Sequence, residues 1–85
     1  MDASYIYDIF EATEKNRDND LLIGMAKLKA VKPLPEGMDE RELCRFIGKH
    51  YHELVEAYAA RDLAVMEEVV LACEEQDAED AKEAE

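Results

Sequence analysis

The chain has 85 residues and 9.7 kDa, with 22 acidic against 10 basic side chains and a formal charge of −12. That length gives one small domain. A pI near 4.4 argues against direct nucleic-acid binding, which needs Lys and Arg to displace the counterions condensed on phosphates, and against anionic membrane surfaces for the same reason. No apolar run reaches the roughly 20 residues of a membrane span, and the opening MDASYIYDIFEATEK lacks the basic start and apolar stretch of a signal peptide. The expectation is a soluble, cytoplasmic protein that engages no membrane.

Leu, Ile, Val and Phe make up 19 of the 85 residues, just above the level of about 20% below which chains stay disordered. Folding is therefore expected, but with so small a core that a second copy or a partner protein is a natural further source of burial. Cys44 and Cys73 read as reduced thiols that act as small apolar residues, since no export signal places the chain in an oxidising compartment.

Apolar positions recur at three and four with little β-branched alternation, which predicts an all-α chain: a small helical bundle of three to four helices with an acidic C-terminal helix or tail. The first helix is expected from about Ser4 to Arg17, capped by Asp2 or Ser4, with Tyr5, Ile6, Ile9, Phe10 and Thr13 on one face. Asn16 to Asp20 form a polar break. A shorter second helix starts from Asp18 or Asp20, carries Leu21, Leu22, Met25 and Leu28, and ends before Pro33 and Pro35, where Gly37 supplies a turn.

The third helix has the clearest start, because Asp39 and Glu42 form a capping-box-like D-x-x-E and Met38 can staple onto Leu43. From there Leu43, Phe46, Ile47, His50, Tyr51, Leu54, Val55 and Tyr58 draw one continuous buried stripe, the expected spine of the fold. Ala59 to Asp62 allow either a tight turn capped by Asp62 or uninterrupted helix. The turn is preferred, since a folded-back fourth helix lets Leu63, Met66, Val69, Val70 and Cys73 cover that stripe. The helical domain is expected over residues 1–75 and an acidic tail over residues 76–85.

Charge is unevenly spread. Residues 1–35 hold six acids and five bases, residues 36–66 seven and four, and residues 67–85 nine and one. The terminal EEQDAEDAKEAE has strong helix formers but no large apolar side chain, and its acids sit where the helix dipole disfavours them. Left alone it is expected to fray. Lys15, Arg17, Lys27, Lys29 and Lys32 offer basic spots onto which it can fold back.

Candidate chemistry is sparse. There is no glycine-rich phosphate loop and no nucleophile elbow, and Ser4 is the single serine. Cys44 lies in the first turn of the third helix near Arg41 and Arg45, where the dipole favours thiolate, but it also abuts the buried stripe and is expected to be packed and inert. His50, His52 and Glu56 invite a metal site, yet His50 and His52 point to opposite sides of a helix and cannot serve one ion together. Arg41, Arg45 and Lys49 form a cationic row that ordinary surface ion pairs account for. Neither an enzyme nor a cofactor is expected.

The acids Glu67, Glu68, Glu74, Glu75, Asp77, Glu79 and Asp80 are the candidate partner-binding residues. Carboxylates along a helix imitate the field of a phosphate backbone, which points to a non-enzymatic protein that binds a basic surface of a protein partner, in the manner of a nucleic-acid-mimicking inhibitor. One alternative is a homodimeric helical adaptor using apolar contacts, with Leu63, Val65, Val69 and Leu71 giving the last helix a second apolar side and the tail serving only solubility. A second alternative is a small metal-binding or redox helical protein.

Overall fold

A computed structural model describes residues 1–83, and among them every regular element is helical: α1 (Ala3–Lys15), α2 (Leu21–Val31), α3 (Glu40–Lys49), α4 (Tyr51–Ala59) and α5 (Leu63–Glu83). Four of the five helices begin at an aspartate that accepts from the freed N–H groups of the first turn. Asp2 accepts from the amides of Ser4 and Tyr5 at 3.0 and 3.2 Å, Asp20 from Leu22 at 2.9 Å, Asp39 from Arg41 at 2.7 Å and Asp62 from Ala64 at 2.9 Å. Two helices end on an arginine in the left-handed region, Arg17 at φ 56° after α1 and Arg61 at φ 54° after α4. The second of these makes residues 59–62 a turn. Arg61 is held in that uncommon conformation by its own side chain, which lies 4.3 Å over the Tyr58 ring and pairs with Glu14 at 2.7 Å.

The fold has five helices because the predicted third helix is two. His50 carries φ −110° and ψ 24°, ending α3 and starting α4. Gly48, with its low helix propensity, precedes the break. The His50 ring is buried 4.9 Å from Phe46, and it bonds across to α5 rather than lining a straight rod. The periodic burial survives the break, since Leu43, Phe46, Ile47, Leu54, Ala57 and Tyr58 are all buried, but Tyr51, expected inside, is half exposed.

Helix α1 is the hub of the bundle, packing against α2 and α5 while also touching α4. Its Tyr5, Ile6 and Ile9 are completely buried. The approach of α2 depends on Gly24, which is buried against Thr13: a Cβ there would run into the Thr13 hydroxyl and lie 3.1 Å from its Cα. At the other end of α2 the Tyr5 hydroxyl donates to the Lys32 carbonyl at 2.9 Å, and Lys32 pairs with Asp8 at 2.7 Å. Helix α5 packs on α4 and α1 through Met66, Val70 and Cys73, which covers the stripe as expected. Residues 76–83, assigned by composition to a tail, continue α5; residues 84 and 85 lie outside the described residues.

Candidate partner-binding surface

The seven predicted contact acids all fall on α5, but on two different sides of it. Met66, Val70 and Cys73 form the inward stripe, and one turn further along the same stripe stands Asp77. Its carboxylate accepts from the Lys49 ammonium at 2.7 Å and lies 2.9 Å from His50 Nε2. Lys49 also reaches Asp80 at 3.2 Å. The Lys49 ammonium, and after it the His50 ring, hold the Asp77 carboxyl below the usual carboxylate range, while Asp77 and Asp80 push Lys49 up. One turn nearer the core, Glu74 accepts from the terminal amine of Met1 at 3.0 Å.

These bonds explain why the terminal stretch stays helical despite acids in its last turns. Lys49 sits beneath two of them and offsets the dipole penalty. The predicted basic spots of the N-terminal half are not its anchor. Lys27 is paired with Asp18 at 2.8 Å, Lys29 with Glu40 at 2.7 Å and Lys32 with Asp8. Of the cationic row on α3, Lys49 alone turns to α5, whereas Arg41 and Arg45 are exposed and have no acid within ion-pair distance among the described residues.

Glu67, Glu68, Glu75 and Glu79 are exposed, and no base lies within ion-pair distance of any of them among the described residues. The structure adds two acids that the sequence did not assign to this surface, Glu53 and Glu56 of α4. Both are exposed and equally without a base. They border a shallow groove of about 390 Å³ between α4 and α5, whose floor includes the half-buried Val65 and Val69. Their signal in the sequence was their position on the polar side of the stripe through Leu54, Ala57 and Tyr58. It became visible only once the turn at residues 59–62 brought α5 alongside. The apolar residues proposed for a second side of α5 divide: Val65 and Val69 face α4, while Leu71 is exposed among the acids.

Burial pushes both the Cys44 and Cys73 thiols up, away from thiolate, and Glu40 adds to the effect at Cys44. Both cysteines are free. His50 is inside and His52 exposed, and no group of three or more His, Cys, Asp or Glu side chains among the described residues is disposed to hold a metal. No described helix is long and apolar enough to cross a membrane. Comparison with protein-family models, with curated proteins and with solved structures finds no match to this chain.

Proposed function

We propose that this chain is a non-enzymatic interaction protein that binds a basic surface of a protein partner through the outward side of α4 and α5, acting as a nucleic-acid-mimicking inhibitor of that surface. The observation that carries this proposal is where uncompensated charge remains. Asp8, Glu14, Asp18 and Glu40 meet bases of the chain itself, and Asp2, Asp20, Asp39 and Asp62 cap helices. Nine exposed acids neither meet a base nor cap a helix among the described residues: Glu11, Glu36 and Glu42 lie singly on α1, in the turn before α3 and on α3, whereas Glu53, Glu56, Glu67, Glu68, Glu75 and Glu79 lie on the adjoining helices α4 and α5.

An isolated exposed ion pair is worth about 0–1 kcal/mol. Six carboxylates on two adjoining helices act together through their summed field, which steers a cationic partner into contact and is screened by salt over a Debye length of about 8 Å at physiological ionic strength. Arginine-rich grooves built for phosphates are the surfaces such a field matches best.

The test begins with a partner recovered from the native host by capture on the intact chain. Its affinity is then titrated at low and at half-molar salt, and in competition with nucleic acid. A steep loss with salt, displacement by nucleic acid, and failure of the Glu68→Lys/Glu75→Lys double variant to bind are the expected results. Binding that is unchanged between the two salt conditions rules out the acidic-surface mechanism.

A further inference from the structure

Helix α2 breaks the pattern of the rest of the chain. Its inward side is set by buried Gly24 and Met25 with half-buried Leu21 and Leu28. Its outward side is Leu22, Ile23, Ala26 and Ala30, all exposed and none charged, in a protein where 38% of residues carry charge. An amphipathic helix facing only water carries polar residues there. The edges of this face are Lys27 and Lys29, and each is already neutralised, by Asp18 and Glu40. Immediately beside it, between α2 and α3, runs a groove of about 430 Å³ lined by Leu22, Met25, Ile47, Gly48 and Tyr51. Leu22, Ile23 and Tyr51 leave 55%, 47% and 50% of their surface in water.

We propose that this outward face of α2, with the groove beside it, is a self-association surface on which a second copy of the chain docks about a twofold axis. A twofold contact needs a patch that complements itself. Here an apolar ridge, Leu22 and Ile23, stands next to an apolar groove, so each copy offers the ridge that the other's groove receives. Ala26 and Ala30 let the two α2 axes approach closely.

Charge selects the same face. Any twofold contact sets like against like, and at a formal −12 per copy the sides that bear Glu53, Glu68, Glu75 and Glu79 repel their own image. The α2 face brings fewer charges to the contact: two lysines already neutralised and, at the end of the groove, Asp20, whose carboxylate caps α2. Helix α1 packs against both α2 and α5, so a contact through the outward face of α2 is made on a different helix from the acids of α4 and α5.

The patch is small, with Leu22, Ile23 and Tyr51 its only large side chains, each about half exposed. A contact built on so few side chains is a weak, reversible one, expected to dissociate in the micromolar range.

Sedimentation equilibrium of the intact chain across about 1–500 μM tests this, a range that brackets micromolar dissociation. Three proteins are compared: wild type, Ile23→Glu on the ridge, and Leu71→Glu on α5 as an equally exposed apolar control, each checked for unchanged helical circular dichroism. The expected result is a wild-type dimer that persists or tightens in half-molar salt, weakened at least about tenfold by Ile23→Glu and untouched by Leu71→Glu. A wild type that is monomeric throughout, or a dimer that responds to Leu71→Glu and not to Ile23→Glu, overturns the proposal. Salt weakens the proposed partner contact of the α4–α5 side, so the two surfaces fail or succeed separately.

Discussion

Helices α2 and α5 each turn one face to the core and one to water, but their outward faces are opposite in kind. Leu22, Ile23, Ala26 and Ala30 look out from α2, whereas Glu67, Glu68, Glu75 and Glu79 look out from α5. Their inward faces differ in the reverse sense. Helix α2 seats on α1 through a glycine, and α5 seats through Met66 and Val70 at one end and through the charged Asp77 at the other. Residue type alone therefore does not tell which side of a helix is surface. Asp77 and Asp80 belong to the same acidic stretch as Glu75 and Glu79, yet they hold the helix in place while the glutamates remain available.

That contrast can be broken most severely in the core. Met66→Ala removes a completely buried side chain where α5 meets the bundle, and is expected to cost about 2–5 kcal/mol, seen as a lowered denaturation midpoint in urea. Next in size is Gly24→Ala. Its methyl group meets the Thr13 side chain and backbone, so overpacking of α1 on α2 should cost about 1–3 kcal/mol by the same assay. A gain in stability, as expected for glycine replaced in an open helix position, would show that α2 does not sit so close.

Asp77→Asn is a smaller change, under about 1 kcal/mol, and it is local. Hydrogen exchange should speed up over residues 76–83 and leave α1 unaffected. Its pH dependence follows from the shifted groups. The Asp77 carboxyl titrates lower when folded than when unfolded, so its contribution is complete above about pH 4 and is lost as pH falls through the folded value. Lys49 is raised, so its contribution is complete below the ordinary lysine value of 10.5 and is lost as pH rises through the folded one. The difference between wild type and Asp77→Asn is thus expected to be widest from about pH 5 to pH 9 and to shrink on both sides.

The smallest effect on stability is expected from Glu68→Lys with Glu75→Lys, within about 0.5 kcal/mol, in contrast with their expected loss of partner binding. If that pair instead destabilises the fold as much as Gly24→Ala does, the outward side of α5 has a structural role and the contrast between its two faces disappears.

Helix starts were legible in the sequence because capping is local: Asp2, Asp20, Asp39 and Asp62 each serve an amide two residues on. The turn after Val31 was legible too, since Pro33 and Pro35 bar a helix and Gly37 adopts φ 86°. The break at His50 was not, because nothing in the stripe from Leu43 to Tyr58 interrupts its periodicity. It arises where the ring finds Phe46 and Asp77, one of them 27 residues away. The same break turns Tyr51 out into the groove beside α2.

The candidate surface was legible in part. Nine acids in the last nineteen residues announce an acidic helix, but which of them face outward depends on where Lys49 and the terminal amine come to lie. Glu53 and Glu56 join that surface only through the packing of α4 on α5.

Composition and short-range pattern alone determined that this chain is helical, where the four aspartate-capped helices start, which residues of α1 are inside and that its negative charge is concentrated toward the C-terminal end, because propensity, capping and periodicity act within a few residues. Tertiary structure decided the split at His50, the pairing of Asp77 and Asp80 with Lys49, and the two unlike outward sides on α2 and on α4–α5. Those features come from groups far apart in the chain that meet only when the helices pack, and an ion pair or an exposed face exists only once its neighbours are in place.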